Sequence, residues 1–480
     1  MFAPEYVKYV LNENFEDAKT LLLEPMVAVD YAHLVMLAEQ GLIAPELAHR
    51  VRAALDRLSL DDLRRVEYDG SCEDLFFYIQ RQLAADAGED AAGRLHVARS
   101  RNDIDMTMYR MRQRECILAL ARAAQQARGA LLDIARAHRH TIFAAHTHTQ
   151  PAQPTTVAHY LLGVIEQLER DGERLAAAFV STNRCPLGAC AITGTGFPID
   201  RETTSRLLGF DAPTGNTYGS IATVDYLLEG LSAAATLLVG LGRFVQDMLL
   251  WCTAEFGYLR LPDGFVQCSS IMPQKRNPVA FEHARALGSK ALGQALAVFS
   301  AVHNTPFGDI VDTEDDLQPL VFAAFKDATR AVTLIAAAMK GAEFDVERMG
   351  RRATEGSITV TELADTLARE HGLPFRSAHA IATAFVRLRA TVAPVEALRR
   401  ASADVLGAPL EYAESRLAEI LSVEHFVAVR TTPGGPAPAK TTEALHASAG
   451  RLERDRAWLD ERVERLRRAE EELKERAEAL

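Results

Sequence analysis

Cysteine is sparse: six in 480 residues (72, 116, 185, 190, 252 and 268), with no CxxC pair and no Cys/His cluster at zinc spacing. A disulfide framework and a zinc site are therefore not expected, and reduced packing residues are. Long apolar runs are also missing. The most hydrophobic stretch, from Glu229 to Arg243, holds thirteen uncharged residues, too few to span a bilayer. The opening residues MFAPEYVKYVLNENFED show neither a basic start before an apolar core nor a small-residue cleavage site, so no secretory leader is expected. The 29 glycines and 19 prolines make a tenth of the chain, which excludes collagen-like and low-complexity classes. There is no basic excess either: 53 Lys+Arg against 65 Asp+Glu leave a net charge of −12, which argues against nucleic acid as the main partner. The expectation is a soluble cytoplasmic protein with neither a membrane nor a nucleic-acid partner. A local basic pocket for a small anion stays compatible with that charge.

What the sequence does have is helix. With 48% hydrophobic and 25% charged residues it can bury a sizeable core, and its length suggests about three units. From Thr155, the apolar positions Val157, Tyr160, Leu161, Val164 and Leu168 share one helical face, behind Pro154 and two threonines able to cap it. Asp105 to His140 lacks Pro and has one Gly, predicting a helix on the order of 50 Å long. Segments around 222–252, 279–303 and 316–340 are similarly rich in Ala and Leu. Helices this apolar need one another, so the centre reads as an elongated bundle. The predicted class is all-α, with units at 1–103, 104–349 (the bundle) and 350–480. In the tail, leucines recur every seven residues from Leu445 to Leu480, but the alternate positions Arg456, Val463, Glu470 and Ala477 suit a coiled-coil seam poorly. A helix laying one leucine ridge on its own protein is the better expectation.

Three polar segments interrupt the helices. Ser100-Arg101-Asn102-Asp103 precedes the longest one and, taken alone, reads as a helix cap. His146-Thr147-His148-Thr149-Gln150 lies in a Pro-rich turn, where a histidine is either simply exposed or, beside an acid, a proton shuttle. Gly264 to Pro278 places two serines, a lysine and an asparagine between apolar helices. It lacks the GxxxxGK[ST] pattern of a phosphate cradle and the GxSxG of a serine hydrolase.

Together these segments carry a resemblance. SSIMPQKRNP is similar to the signature loop of the fumarase/aspartase superfamily, and SRND, THTQPAQP, EFGYLRLPDGF and AVRTTPGGPAP resemble the argininosuccinate lyase family within it. The likeness implies a three-domain fold with a long helical bundle at the core of a homotetramer. It also implies active sites shared between subunits, a small dicarboxylate or amine–succinate substrate, and no cofactor or metal. It implies a carbon–nitrogen lyase that releases fumarate from an N-substituted aspartate. Matched by motif position, Ser269 is the base, His148 with Glu282 the proton donor, and Ser100, Arg101 and Asn102 grip the succinyl part. Thr147, Gln150, Ser270, Met272, Lys275, Asn277 and Asp309 fall at substrate-binding positions.

The chain departs from the family pattern on the amine side. The family's Glu-Asp-Ile/Val-His is Glu73-Asp74-Leu75-Phe76 here; Ser-Asp-Arg-Asp is Ala222-Thr223-Val224-Asp225; and a tyrosine, a glutamine and a lysine become Asp309, Glu314 and Leu317. Asp309, Asp312 and Glu314 add negative charge suited to a cationic amine. Alternatively, they are solvated acids at a helix start. Argininosuccinate and another amine–succinate adduct, as in the ethylenediamine-disuccinate lyases, both stay open. An inactive crystallin-like structural role is disfavoured by the complete Ser269, Lys275, Asn277, His148 and Glu282 set.

Overall fold

The computed structural model describes residues 2–480, and its regular structure is almost wholly helical. Five long helices form the centre: α1 (Arg101–Ala137), α2 (Val157–Thr182), α3 (Asp225–Trp251), α4 (Val279–Val302) and α5 (Gln318–Lys340). Thr156 caps α2 by accepting the His159 N–H, and prolines sit just before α4 and in the first turn of α5, where no N–H partner is lost.

Polar contacts fix the direction of each helix. Arg110 donates to the Ser181 carbonyl (3.0 Å) and Arg114 to Asn183 Oδ1 (3.0 Å), so the end of α2 returns to the start of α1. Gln113 donates to the Tyr226 carbonyl (2.6 Å), which starts α3 there too. The rings of Phe143 and Trp251 are 5.2 Å apart, so α3 ends at the far end of α1. The segment after α4 comes back to Tyr109, and α5 ends four residues before Phe344, whose ring lies 4.8 Å from that of His138. The bundle therefore has two ends, separated by the length of α1, about 55 Å at 1.5 Å per residue for its 37 residues.

α3 is long and apolar enough to cross a membrane by length and composition, more so than its uncharged stretch alone suggests. The bundle accounts for that apolarity on one face: Leu227, Leu231, Leu237, Leu241, Val245 and Met248 are buried in the central cluster. Val239 and Leu250 on α3, with Leu296 and Phe299 on α4, stay exposed.

Apolar packing gathers into three clusters. One joins the N-terminal helices to the start of α1 and to residues around 185–221, one fills the bundle, and one lies among helices between 363 and 420. The tail is a single helix, α6 (Pro438–Glu478). Its Leu445, Leu452 and Leu459 are buried in the bundle cluster, while Leu473 and Ala477 join the N-terminal one. Gln125 donates to the Asp455 carbonyl (2.8 Å) and Arg451 pairs with Glu169 (3.0 Å), fixing the same contact. The leucine ridge thus packs on its own chain.

Sheet is confined to two-stranded pairs, of which β1 (Ile142–Thr147) and β2 (Gln150–Thr156) form an antiparallel hairpin with a bulge at Ala145/His146. The Pro-rich segment read as a turn is therefore a hairpin at the far end of α1.

Candidate functional site

At the start of α1, Ser100, Arg101 and Asn102 are half-buried and tied into a fixed arrangement. The Ser100 hydroxyl donates to Asn102 Oδ1 (3.1 Å), and Asn102 Nδ2 donates to the Ala191 carbonyl (3.0 Å). Asp103, wholly buried, reaches back to the Ser100 N–H (2.8 Å), so the cap read from sequence is present as well. Arg101 pairs with Glu73 (2.8 Å) and Asp74 (2.5 Å) and lies over the Phe77 ring.

Acids crowd this cation. Tyr109 donates to Asp315 Oδ1 (2.7 Å), and Asp105 sits four residues before Tyr109, one helical turn away. Burial and then the nearby Asp315 push the Asp105 carboxyl well above the usual range, with Arg101 pulling the other way. Glu314 is pushed up to about 8, first by burial and then by Asp309, which faces it at hydrogen-bonding reach. Burial also raises Asp74 despite Arg101. Asp309 and Asp312 are themselves exposed. Beside Asp309, Tyr218 stacks on Phe307 at 5.9 Å and donates to its carbonyl (3.2 Å).

The other end of the bundle carries the remaining residues. His148 and Thr149 are the two central residues of the β1–β2 turn, both exposed and both in the left-handed region, with φ of 51° and 64°. A two-residue hairpin turn of type I′ needs positive φ at both positions, and side chains other than Gly, Asn or Asp reach it at a cost. Thr147 and Gln150 flank them as the last pair of the ladder. The serine segment is a loop closed at its stem by reciprocal backbone hydrogen bonds between Gln267 and Asn277, both 3.0 Å. Arg276 anchors the stem through Asp263 (2.5 Å) and the Leu261 carbonyl (2.8 Å). Within the loop, Ser269 Oγ accepts the N–H groups of Met272 (3.2 Å) and Ile271 (3.4 Å). Ile271 is 83% exposed, and Ser270, Met272 and Lys275 are exposed beside it. Glu282 is exposed in the first turn of α4, where a carboxylate is favoured.

The fold thus divides the predicted residues into two sets: Ser100, Arg101, Asn102 and Asp309 at one end; His148, Thr147, Gln150, Ser269, Ser270, Met272, Lys275, Asn277 and Glu282 at the other. Among the described residues, no hydrogen bond or ion pair joins Ser269, His148 and Glu282 within the chain. Sequence reasoning missed Asp105, Tyr109 and Asp315. The first two carried a signal, an acid and a phenol one turn apart on the helix that Arg101 opens.

The family profile described as lyase matches residues 39–293, and that described as argininosuccinate lyase C-terminal matches 357–428. Argininosuccinate lyase 2 of Agrobacterium fabrum is 42% identical over 463 residues, covering 94% of this chain and 90% of that protein. The argininosuccinate lyase of Methanoculleus marisnigri is 38% identical over 458 residues, covering 95% and 93%. Among solved structures, EDDS lyase in complex with formate superposes with a TM-score of 0.88 at 29% identity, over 99% of this chain and 95% of that one. A fumarate lyase from Mesorhizobium sp. BNC1 shares the fold, with a TM-score of 0.72 at 21% identity over 88% of this chain and 95% of that one.

Proposed function

This chain belongs to the argininosuccinate lyase family, with its all-α fumarase/aspartase-type fold, and from that premise we propose how its residues carry out the family reaction. It is a carbon–nitrogen lyase that eliminates fumarate from an N-substituted aspartate such as argininosuccinate. Ser269 removes the proton from the carbon next to a carboxylate. The observation that carries this role is the pair of backbone N–H groups aimed at Ser269 Oγ, because donors fixed on that oxygen stabilise its alkoxide. Lys275 and Asn277 meet the charge that grows on the neighbouring carboxylate. Asn277 is held in register by its bridge to Gln267. His148, steadied by Glu282, gives the departing nitrogen its proton. Ser100, Arg101 and Asn102, with Thr147, Gln150, Ser270 and Met272, hold the succinyl half in a dry pocket.

The site is shared between copies of a homotetramer in the cytoplasm. What supports the sharing is the bundle itself: one chain holds the two sets of residues at ends about 55 Å apart, so a complete site needs the end of one copy beside the opposite end of another. The exposed apolar residues of α3 and α4 supply a face for such contact.

A second reading concerns the amine. Glu73, Asp74, Asp105, Glu314 and Asp315 surround Arg101 and Tyr109, with Asp309 against Glu314, and this favours an adduct whose amine half is cationic. Release of fumarate, followed by ultraviolet absorbance with argininosuccinate and with EDDS as substrates, tests both readings. Turnover of argininosuccinate alone refutes the second. Ser269→Ala lowers kcat by about 10²–10⁴-fold if the serine is the base, with the assembly intact.

A further inference from the structure

Asp103 lies at the seam between two segments that meet nowhere else in sequence. Its Oδ1 accepts the Ser100 N–H (2.8 Å), and its Oδ2 accepts the N–H groups of Gly188 (2.7 Å) and Cys190 (2.9 Å). A buried carboxylate with three N–H donors is a strong, directional clip. What it clips resists the conformation. Cys190 is held at a φ of 55°, costly for a residue with a side chain, and Gly188 at 90°, where a Cβ would meet Arg201 Cγ at 2.7 Å. One residue from the clip on each segment, the Asn102 amide donates to the Ala191 carbonyl. Any shift of 188–191 is therefore passed to Asn102.

We propose that Asp103 is a positioning residue: its carboxylate sets the spacing between Ser100–Asn102 and the 188–191 segment, and thereby how tightly the fumarate half of the substrate is held. This rests on the reading that Ser100–Asn102 grip that half. It goes beyond that reading by giving the grip a proton dependence. A neutral carboxyl places an O–H where a donor already points, so one of the three bonds is lost on protonation. Burial pushes the Asp103 carboxyl up to about 6, against the pull of its three N–H partners and of Arg99. Of the groups facing it, burial raises the thiols of Cys185 and Cys190 so that both stay neutral, and Arg99 is paired with Asp30 at 2.5 Å. Fumarate itself is fully ionised there, since ordinary carboxyls titrate near 4.

The test is fumarate binding by the assembled enzyme, measured by calorimetry from pH 5 to 8, for the wild type and for Asp103→Asn. The wild type is expected to lose affinity for fumarate below about pH 6 while its circular dichroism is unchanged. Asp103→Asn is expected to bind fumarate about tenfold more weakly at pH 7.5, the scale of one charge-assisted hydrogen bond, and to lack the acid limb. Its kcat at saturating substrate is expected to stay within about threefold of wild type, since no reacting atom is touched. An acid limb that persists in Asp103→Asn, or wild-type affinity in that variant, overturns the clip. If the variant does not assemble, a wild-type affinity that does not fall between about pH 6 and pH 5 overturns it on its own. A wild type that binds no fumarate at any pH overturns instead the reading on which the clip rests.

Discussion

Mixing two inactive variants should restore activity. On the proposed reading, Asn102→Ala removes the substrate grip at one end of the bundle and Ser269→Ala removes the base at the other; each variant alone is expected to assemble and to be inactive. Helix α1 separates these ends by about 55 Å, so no site draws both residues from one chain. When equal amounts are dissociated together and reassembled, each site takes its Asn102 end and its Ser269 loop independently from either variant. Half the sites then receive an intact Asn102, half of those an intact Ser269, and about one quarter of wild-type activity returns. Fumarate release is the assay, and native mass spectrometry confirms that subunits have mixed. Had the site been built within one chain, every copy would carry one lesion and mixing would return nothing. Recovery near zero in verified mixed tetramers refutes the shared-site reasoning.

Leu459, 1% exposed against the bundle, should cost about 2–5 kcal/mol when cut back to alanine, read by chemical denaturation, with the oligomeric mass unchanged; dissociation of the assembly would show that the ridge is an intersubunit seam instead. Glu314, raised from 4.5 to about 8, keeps its proton in the folded protein where the unfolded chain has lost it, so stability should fall as pH rises from about 4.5 to about 8. Glu314→Gln should flatten that fall in the melting temperature, and an equal fall in the variant would point to another group. No group of three or more His, Cys, Asp or Glu among the described residues is arranged to hold a metal ion. Exhaustive treatment with a chelator lacking carboxylates should therefore leave fumarate release unchanged.

The helices of the bundle are legible because their signal is local. An apolar face from Val157 to Leu168, a capping threonine and a preceding proline specify the helix that starts at Val157 without help from the rest of the chain. The tail ridge is legible for a related reason: Arg456 and Glu470 between the leucines disqualify a symmetric seam, and one-sided packing follows. The hairpin is not legible. Gln-Pro-Ala-Gln-Pro carries no strand propensity, and His148-Thr149 is not a turn pair that positive φ favours. Its ladder instead grows from Phe143, Thr155 and Thr156, which are buried against the bundle, and the turn is imposed from there. The acidic patch is illegible for another reason. Tyr109 and Asp315 are 206 residues apart, and only the return of the segment after α4 brings them to 2.7 Å.

That patch poses an electrostatic problem whose answer bears on the substrate. A succinyl group brings two negative charges to Arg101, whose own charge Glu73 and Asp74 already engage. Two like charges 4 Å apart repel by about 4 kcal/mol at an effective dielectric of 20, so fully ionised acids beside the succinyl group would oppose binding. The raised pKa of Asp105 and of Glu314 removes much of this conflict, because protonated carboxyls carry no charge against the incoming dianion. A cationic amine arriving with the succinyl group reverses the balance: it favours ionisation of those same acids, and protons leave as it binds. On the proposed reading, the adduct expected to fit is zwitterionic, with its negative end at Ser100–Asn102 and its positive end at Asp309 and Glu314. Binding of a diamine adduct to the Ser269→Ala enzyme should release protons to the buffer between about pH 6 and 8, seen as a binding enthalpy that varies with the buffer's ionisation enthalpy. A simple dicarboxylate should not release them. If both ligands give the same proton count, the acids are a solvated rim and the amine is recognised elsewhere.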